Sequence, residues 1–103
     1  MMTRAEKNQA IYALRRRKRK FVLDHKAEAG CQDCGERDPV VLELDHREPE
    51  SKDPRLRNAK KGNNVRAQLL SFSWPDLFAE LEKCDVVCAN CHRRRTALQQ
   101  SWG

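Results

Sequence analysis

A small α+β domain with a long N-terminal helix is the fold class the sequence predicts, and three observations predict it. The chain has 103 residues, which suits one compact domain: a basic helix over 1–30 and a core over 31–103. Apolar residues recur at helical steps in two segments, a third is free of Gly and Pro, and two short β-branched runs lie between them. Only 39% of residues are hydrophobic against 35% charged, so the apolar core is thin and needs an added staple.

The elements follow in order. Thr3 and Glu6 have the spacing of a capping box, and Ile11, Leu14, Phe21, Val22 and Ala29 recur at helical steps, with Lys18 and His25 interrupting the stripe. Gly30 is placed to end this first helix. Val40 to Leu44 reads as a strand, and the polar stretch from Arg47 to Asn64, with two prolines and a glycine, reads as a surface loop. A loop that long in a small domain is usually functional. Ser73 can cap a second helix with Pro75 in its first turn, and Leu77, Phe78 and Leu81 give it an apolar face to about Cys84. Asp85 to Val87 is strand-like, and Cys91 to about Gln100 reads as a last helix.

Charge narrows the class of partner. The net charge is +6, but residues 1–20 alone hold eight Lys or Arg against one acid, so the remaining body is close to neutral. A basic segment on a near-neutral body suits a polyanion, because each phosphate neutralised releases a condensed counterion. The candidate contacts are Arg15, Arg16, Arg17, Lys18, Arg19 and Lys20, with Arg93 and Arg94 beside the last cysteines. No apolar run approaches the length that crosses a bilayer, and no secretory leader is read at the start, so no membrane partner is expected. A soluble chain in the cytoplasm is the expectation.

Five cysteines supply the staple. Cys31-Gln32-Asp33-Cys34 and Cys88-Ala89-Asn90-Cys91 are two matched C-x-x-C pairs. A two-residue gap lets one tight turn present two thiolates to the same ion, and two such turns complete a tetrahedral structural zinc site. Redox chemistry at one pair would leave the other idle. Covalent haem on the C-x-x-C-H run ending in His92 would need an export signal and a spare methionine ligand. Zinc is therefore preferred. Cys84, the odd cysteine, reads as a small buried apolar side chain, and Asn90 as a left-handed turn residue.

Three ionisable residues adjoin this scaffold. Asp45 and His46 close the first strand, where consecutive side chains point to opposite sides, so one can face a metal and its neighbour a water. His92 follows the last zinc cysteine, and zinc that unites the two turns also brings the strand and the last helix close, which can place all three around one point. With Cys31 to Cys34, Leu42 to Pro49 and Val87 to Thr96 in that order, the chain resembles the HNH endonucleases that carry a zinc-binding cysteine quartet, small phage and bacterial members above all.

The resemblance implies a ββα-metal core and a metal-dependent hydrolysis of DNA phosphodiester bonds, by nicking or double-strand cleavage. In that scheme His46 is the general base that takes a proton from water, while Asp45 and His92 hold a divalent ion, Mg²⁺, Mn²⁺ or another. The expected partners are double-stranded DNA and a phage packaging or other DNA-processing protein, in a bacterial cell or phage-infected host. The family's middle asparagine usually precedes the third cysteine by a few residues, where this chain has the helix around Glu80 and Glu82 instead. Asn64 is the substitute loop brace, with Asn63 behind it. A non-catalytic zinc module binding DNA or RNA is the alternative. Only Asp45, His46 and His92 separate the two, since a pure binder needs no such trio around one point.

Overall fold

The computed structural model describes residues 1–57 and 68–99. It is a small α+β arrangement in which a two-stranded antiparallel sheet lies between helices. Helix α1 spans Arg4–Ala29, strand β1 Leu42–His46, a single helical turn α2 Pro54–Arg57, helix α3 Trp74–Glu82, strand β2 Cys84–Cys88, and helix α4 Ala89–Gln99.

Helix α1 starts and stops where its local chemistry requires. The Thr3 side chain accepts from the Glu6 N–H at 3.1 Å, which satisfies one free donor of the first turn. At the other end Gly30 takes φ 68°, and a Cβ built there would come within 3.3 Å of the Arg37 side chain. The buried stripe differs from the expected one. Ile11 and Leu14 are exposed, as is every residue from 1 to 17, while Lys18, Val22 and Lys26 are buried one turn apart. The helix outlasts the body it packs on, since 26 residues span about 39 Å. Two lysines can line its buried face because their aliphatic stems pack as hydrocarbon while their ends find partners. The Lys18 ammonium donates to the Phe72 carbonyl and lies 5.8 Å from the Trp74 ring centre.

The first strand begins two residues later than the sequence suggests. Asp38 accepts from the Val40 N–H at 3.0 Å and caps a 3-10 turn over Pro39–Val41, which takes Val40 and Val41 out of the extended run. The sheet therefore pairs Leu42 with Cys88, Glu43 with Val87, Leu44 with Val86, Asp45 with Asp85 and His46 with Cys84. Between the strands, Pro49–Ser51 forms another 3-10 turn and α2 one helical turn, where the sequence reading had only loop. Asn63 and Asn64 lie outside the described residues. Helix α3 starts as expected, with Ser73 accepting from the Asp76 N–H at 3.3 Å.

Successive strand residues face opposite ways, so each strand serves two layers. One cluster holds Val22, Leu56, Leu69, Phe72, Leu77 and Leu81, joining α1, α2 and α3. The other holds Cys31, Leu42, Val86, Val87, Cys88 and Cys91, so half of it is cysteine. Leu44 packs against both. None of the helices among the described residues is long and apolar enough to cross a membrane.

Candidate metal centre and the faces beside it

The two C-x-x-C turns converge. Cys31, Cys34, Cys88 and Cys91 each offer a sulfur, and the four sulfurs lie within 4.8 Å of one another. The Cys34 and Cys88 sulfurs are 3.7 Å apart. A tetrahedron with Zn–S bonds of about 2.3 Å has edges of about 3.75 Å, whereas a disulfide would need about 2.05 Å. All five cysteines are free thiols. Spacing and donor chemistry together fit a metal ion such as zinc.

Backbone contacts hold the turns in place. The first is closed by the Gly35 N–H donating to the Cys31 carbonyl at 2.8 Å, with Gly35 at φ 85°, and the Gln32 N–H ties it to the Val86 carbonyl of β2 at 2.9 Å. In the second, the Cys91 N–H points at the Cys88 sulfur at 3.4 Å. Asn90 is the second residue of helix α4, not a left-handed turn residue, because α4 begins inside the knuckle. Burial pushes the Cys31 thiol up, but hydrogen bonds from the Cys88, Cys34 and Asp33 backbones outweigh it and bring the thiol down to about 6. Its hydrogen bond to Cys88, together with burial, pushes Cys91 up to about 12. The thiolate is the ligand form, so the quartet already has one member that gives up its proton readily.

Cys84 stands apart. It is buried, its sulfur donates to the Glu80 carbonyl at 3.4 Å, and burial pushes its thiol up to about 12.

Of the three ionisable residues beside the quartet, the structure brings two together. His92, in the first turn of α4, has Nε2 3.6 Å from Asp45 Oδ1 and Nδ1 3.4 Å from Glu43 Oε1. Glu43 and Asp45 alternate with His46 along β1 and so share the face toward α4. An open depression of about 590 Å³ adjoins this face, lined by Glu43, Ala89, His92, Arg93 and Thr96. Arg93 and Arg94 are both exposed, the latter reaching the Cys91 sulfur at 3.9 Å.

His46 faces the other way. Its Nε2 is 2.6 Å from Glu80 Oε2, and both side chains are buried, with 8% and 2% exposure. Glu80 also accepts from the Asp53 N–H at 3.1 Å and from Lys83 Nζ at 2.8 Å. Burial pushes the Glu80 carboxyl up, yet the hydrogen bonds from Lys83 and His46 outweigh it and hold the group below the ordinary carboxylate value. Glu80 is therefore a buried anion with three donors.

Sequence reasoning missed Glu80, Glu43 and above all Arg95. The Arg95 guanidinium takes Asp33 of the first cysteine turn in a two-pronged grip at 2.7 Å, and its remaining nitrogen lies 3.0 Å from both Asp45 and Asp85. Hydrogen bonds to Asp33 and Asp85 raise its proton affinity, and in return it holds the Asp33 carboxyl below its ordinary value. Two carboxylates directly opposite in a sheet repel, and Arg95 is what lets Asp45 and Asp85 stand in register. Its position four residues after Cys91, on the same helix face, was the one available signal.

The basic run is divided. Arg15, Arg16, Arg17, Arg19 and Lys20 are exposed, whereas Lys18 is turned into the body. No family model matches the chain, and no curated protein or solved structure matches it.

Proposed function

We propose that the chain is a zinc-stabilised DNA endonuclease of the HNH kind, dependent on a divalent ion. The observation that carries this reading is the Asp45–His92 pair, 3.6 Å apart, where the two-stranded antiparallel sheet meets the helix that follows it. An acid and an imidazole at that separation can ligate one small divalent ion, Mg²⁺ or Mn²⁺. Such an ion, when bound, supplies charge stabilisation to the phosphoryl group and the leaving oxygen. The chain's own residues do the rest. His46 takes the proton of the attacking water, Arg93 and Arg94 meet phosphate beside the depression, and the exposed arginines of α1 hold the duplex without reading its bases.

A non-catalytic zinc module for DNA or RNA is the second reading, and one arrangement favours it. His46 faces Glu80 rather than the Asp45–His92 pair, and Arg95 already provides a cation at Asp45. Plasmid cleavage by purified protein in Mg²⁺, Mn²⁺, Ni²⁺ and Zn²⁺, with His46→Ala as control, decides between them. Nicked or linear product that depends on the ion and on His46 is expected. Intact plasmid under every ion, from protein that still binds DNA, leaves the binding module.

Phosphate contact by α1 has its own signature. Replacing Arg15, Arg16 and Arg19 with Ala should weaken binding equally on all sequences and flatten the slope of log K against log salt by about 0.9 per lost contact. A slope that does not move shows that the run does not touch DNA.

A further inference from the structure

His46 and Glu80 form a buried pair, with side-chain exposures of 8% and 2%, and nothing in the fold requires an imidazole there. Leu77 and Leu81 are buried on the same helix as Glu80, and Leu44 lies on the same strand face as His46. An apolar residue at position 46 would pack without a desolvated partner. The chain instead carries a carboxylate aimed at one particular ring nitrogen.

Resting on the nuclease reading, we propose that Glu80 is the positioning residue of the reaction, fixing the His46 ring in the tautomer that a general base needs, with Nε2 on Glu80 and Nδ1 left bare. Three contacts support it. Glu80 Oε2 receives the ring Nε2 at 2.6 Å, and a carboxylate can only accept, so Nε2 carries the hydrogen. In the neutral ring Nδ1 is then the bare lone pair, the one atom that can take a proton from water. The carboxylate is itself held from two further sides, by the Asp53 N–H on the same oxygen at 3.1 Å and by Lys83 Nζ on the other at 2.8 Å. Lys83 is anchored in turn on the Ser51 carbonyl at 2.9 Å. Asp53 and Ser51 come from the segment that follows His46 and Lys83 from the end of α3, so β1, the start of the inter-strand segment and α3 are locked around one imidazole. This is the arrangement in which a buried acid orients a catalytic histidine without touching substrate.

Glu80→Ala should lower the cleavage rate about 10- to 100-fold, the usual range for losing a group that orients a working ligand or base, with KM for DNA within about twofold. Glu80→Gln should keep most of the rate. Its amide oxygen can stay with His46 and the Asp53 N–H, while the Lys83 end, which is partly exposed, swings away. Zinc content and circular dichroism confirm that each variant is folded. The second measurement needs no variant: long-range ¹H–¹⁵N spectra of the parent protein should show neutral His46 with its hydrogen on Nε2. A hydrogen on Nδ1, or a folded Glu80→Ala protein that cuts at the parent rate, overturns the proposal. Failure of the nuclease reading looks different, because the parent itself then cuts nothing while the Nε2–H signature persists, and Glu80 is left as a structural anchor only.

Discussion

Removing zinc from the four-cysteine centre is expected to unfold the sheet and α4 together. One zinc per chain should survive purification, and full chelation should abolish the cooperative thermal transition seen by circular dichroism. The magnitudes decide it. Structural zinc contributes an apparent free energy on the order of 10–16 kcal/mol at neutral pH, as large as the whole stability of a typical domain, about 5–15 kcal/mol. Here the dependence is sharpened because Cys31, Cys88 and Cys91 are half of the second buried cluster. Without an ion the quartet keeps only weak contacts between its sulfurs inside the core it is meant to fill. Cys88→Ser should behave like chelation, whereas Cys84→Ser should keep its zinc, since Cys84 lies outside the quartet. Protein free of zinc by metal analysis, or a melting curve unchanged by chelator, would rule the staple out.

The second large effect separates base from ligand. His46→Ala should reduce plasmid cleavage by about 10²- to 10⁴-fold, typical for loss of general-base catalysis, with DNA affinity unchanged. Asp45→Ala and His92→Ala should instead weaken the hold on the divalent ion, so raising Mg²⁺ or Mn²⁺ recovers part of their activity and none of the activity lost in His46→Ala. Zinc should remain in all three, because the cysteine site has its own ligands. Three variants that cut as well as the parent would remove the nuclease reading altogether.

Elements with a local code were legible in the sequence. Thr3 with Glu6, Gly30, and Ser73 with Pro75 each satisfy free backbone groups within a few residues of themselves, so the ends of α1 and the start of α3 fall as expected. The cysteine quartet was legible for the same reason, since each pair is a single turn. What depended on neighbours distant in sequence was not. One local signal was overlooked as well: Asp38 and Pro39 form a turn that takes Val40 and Val41, so β1 begins at Leu42. The buried face of α1 is set by where the body ends, which leaves Ile11 and Leu14 exposed and draws Lys18 inside. Within the candidate site, the strand alternation that sends Asp45 and His46 to opposite faces was legible, but the partner on each face was not: one meets His92 and the other Glu80. The partnership of Arg95 with Asp45 and Asp85 exists only once the strand register is known.

The exposed half of α1 has a thermodynamic consequence for the polyanion contact proposed above. From Arg4 to Arg17 no residue is buried, so helix is maintained there by its own hydrogen bonds and by propagation from the anchored turns that follow. A helical stretch of that length is marginal in water, and the crowded cations of Arg15 to Lys20 oppose it, relieved at one point by the Lys20–Asp24 pair at 2.7 Å. A phosphate backbone laid along the run cancels that repulsion. On the proposed reading, docking and helix propagation would then be one coupled equilibrium, in which part of the electrostatic gain would go into winding the arm, with the anchored turns at Lys18, Val22 and Lys26 as the nucleus from which winding starts.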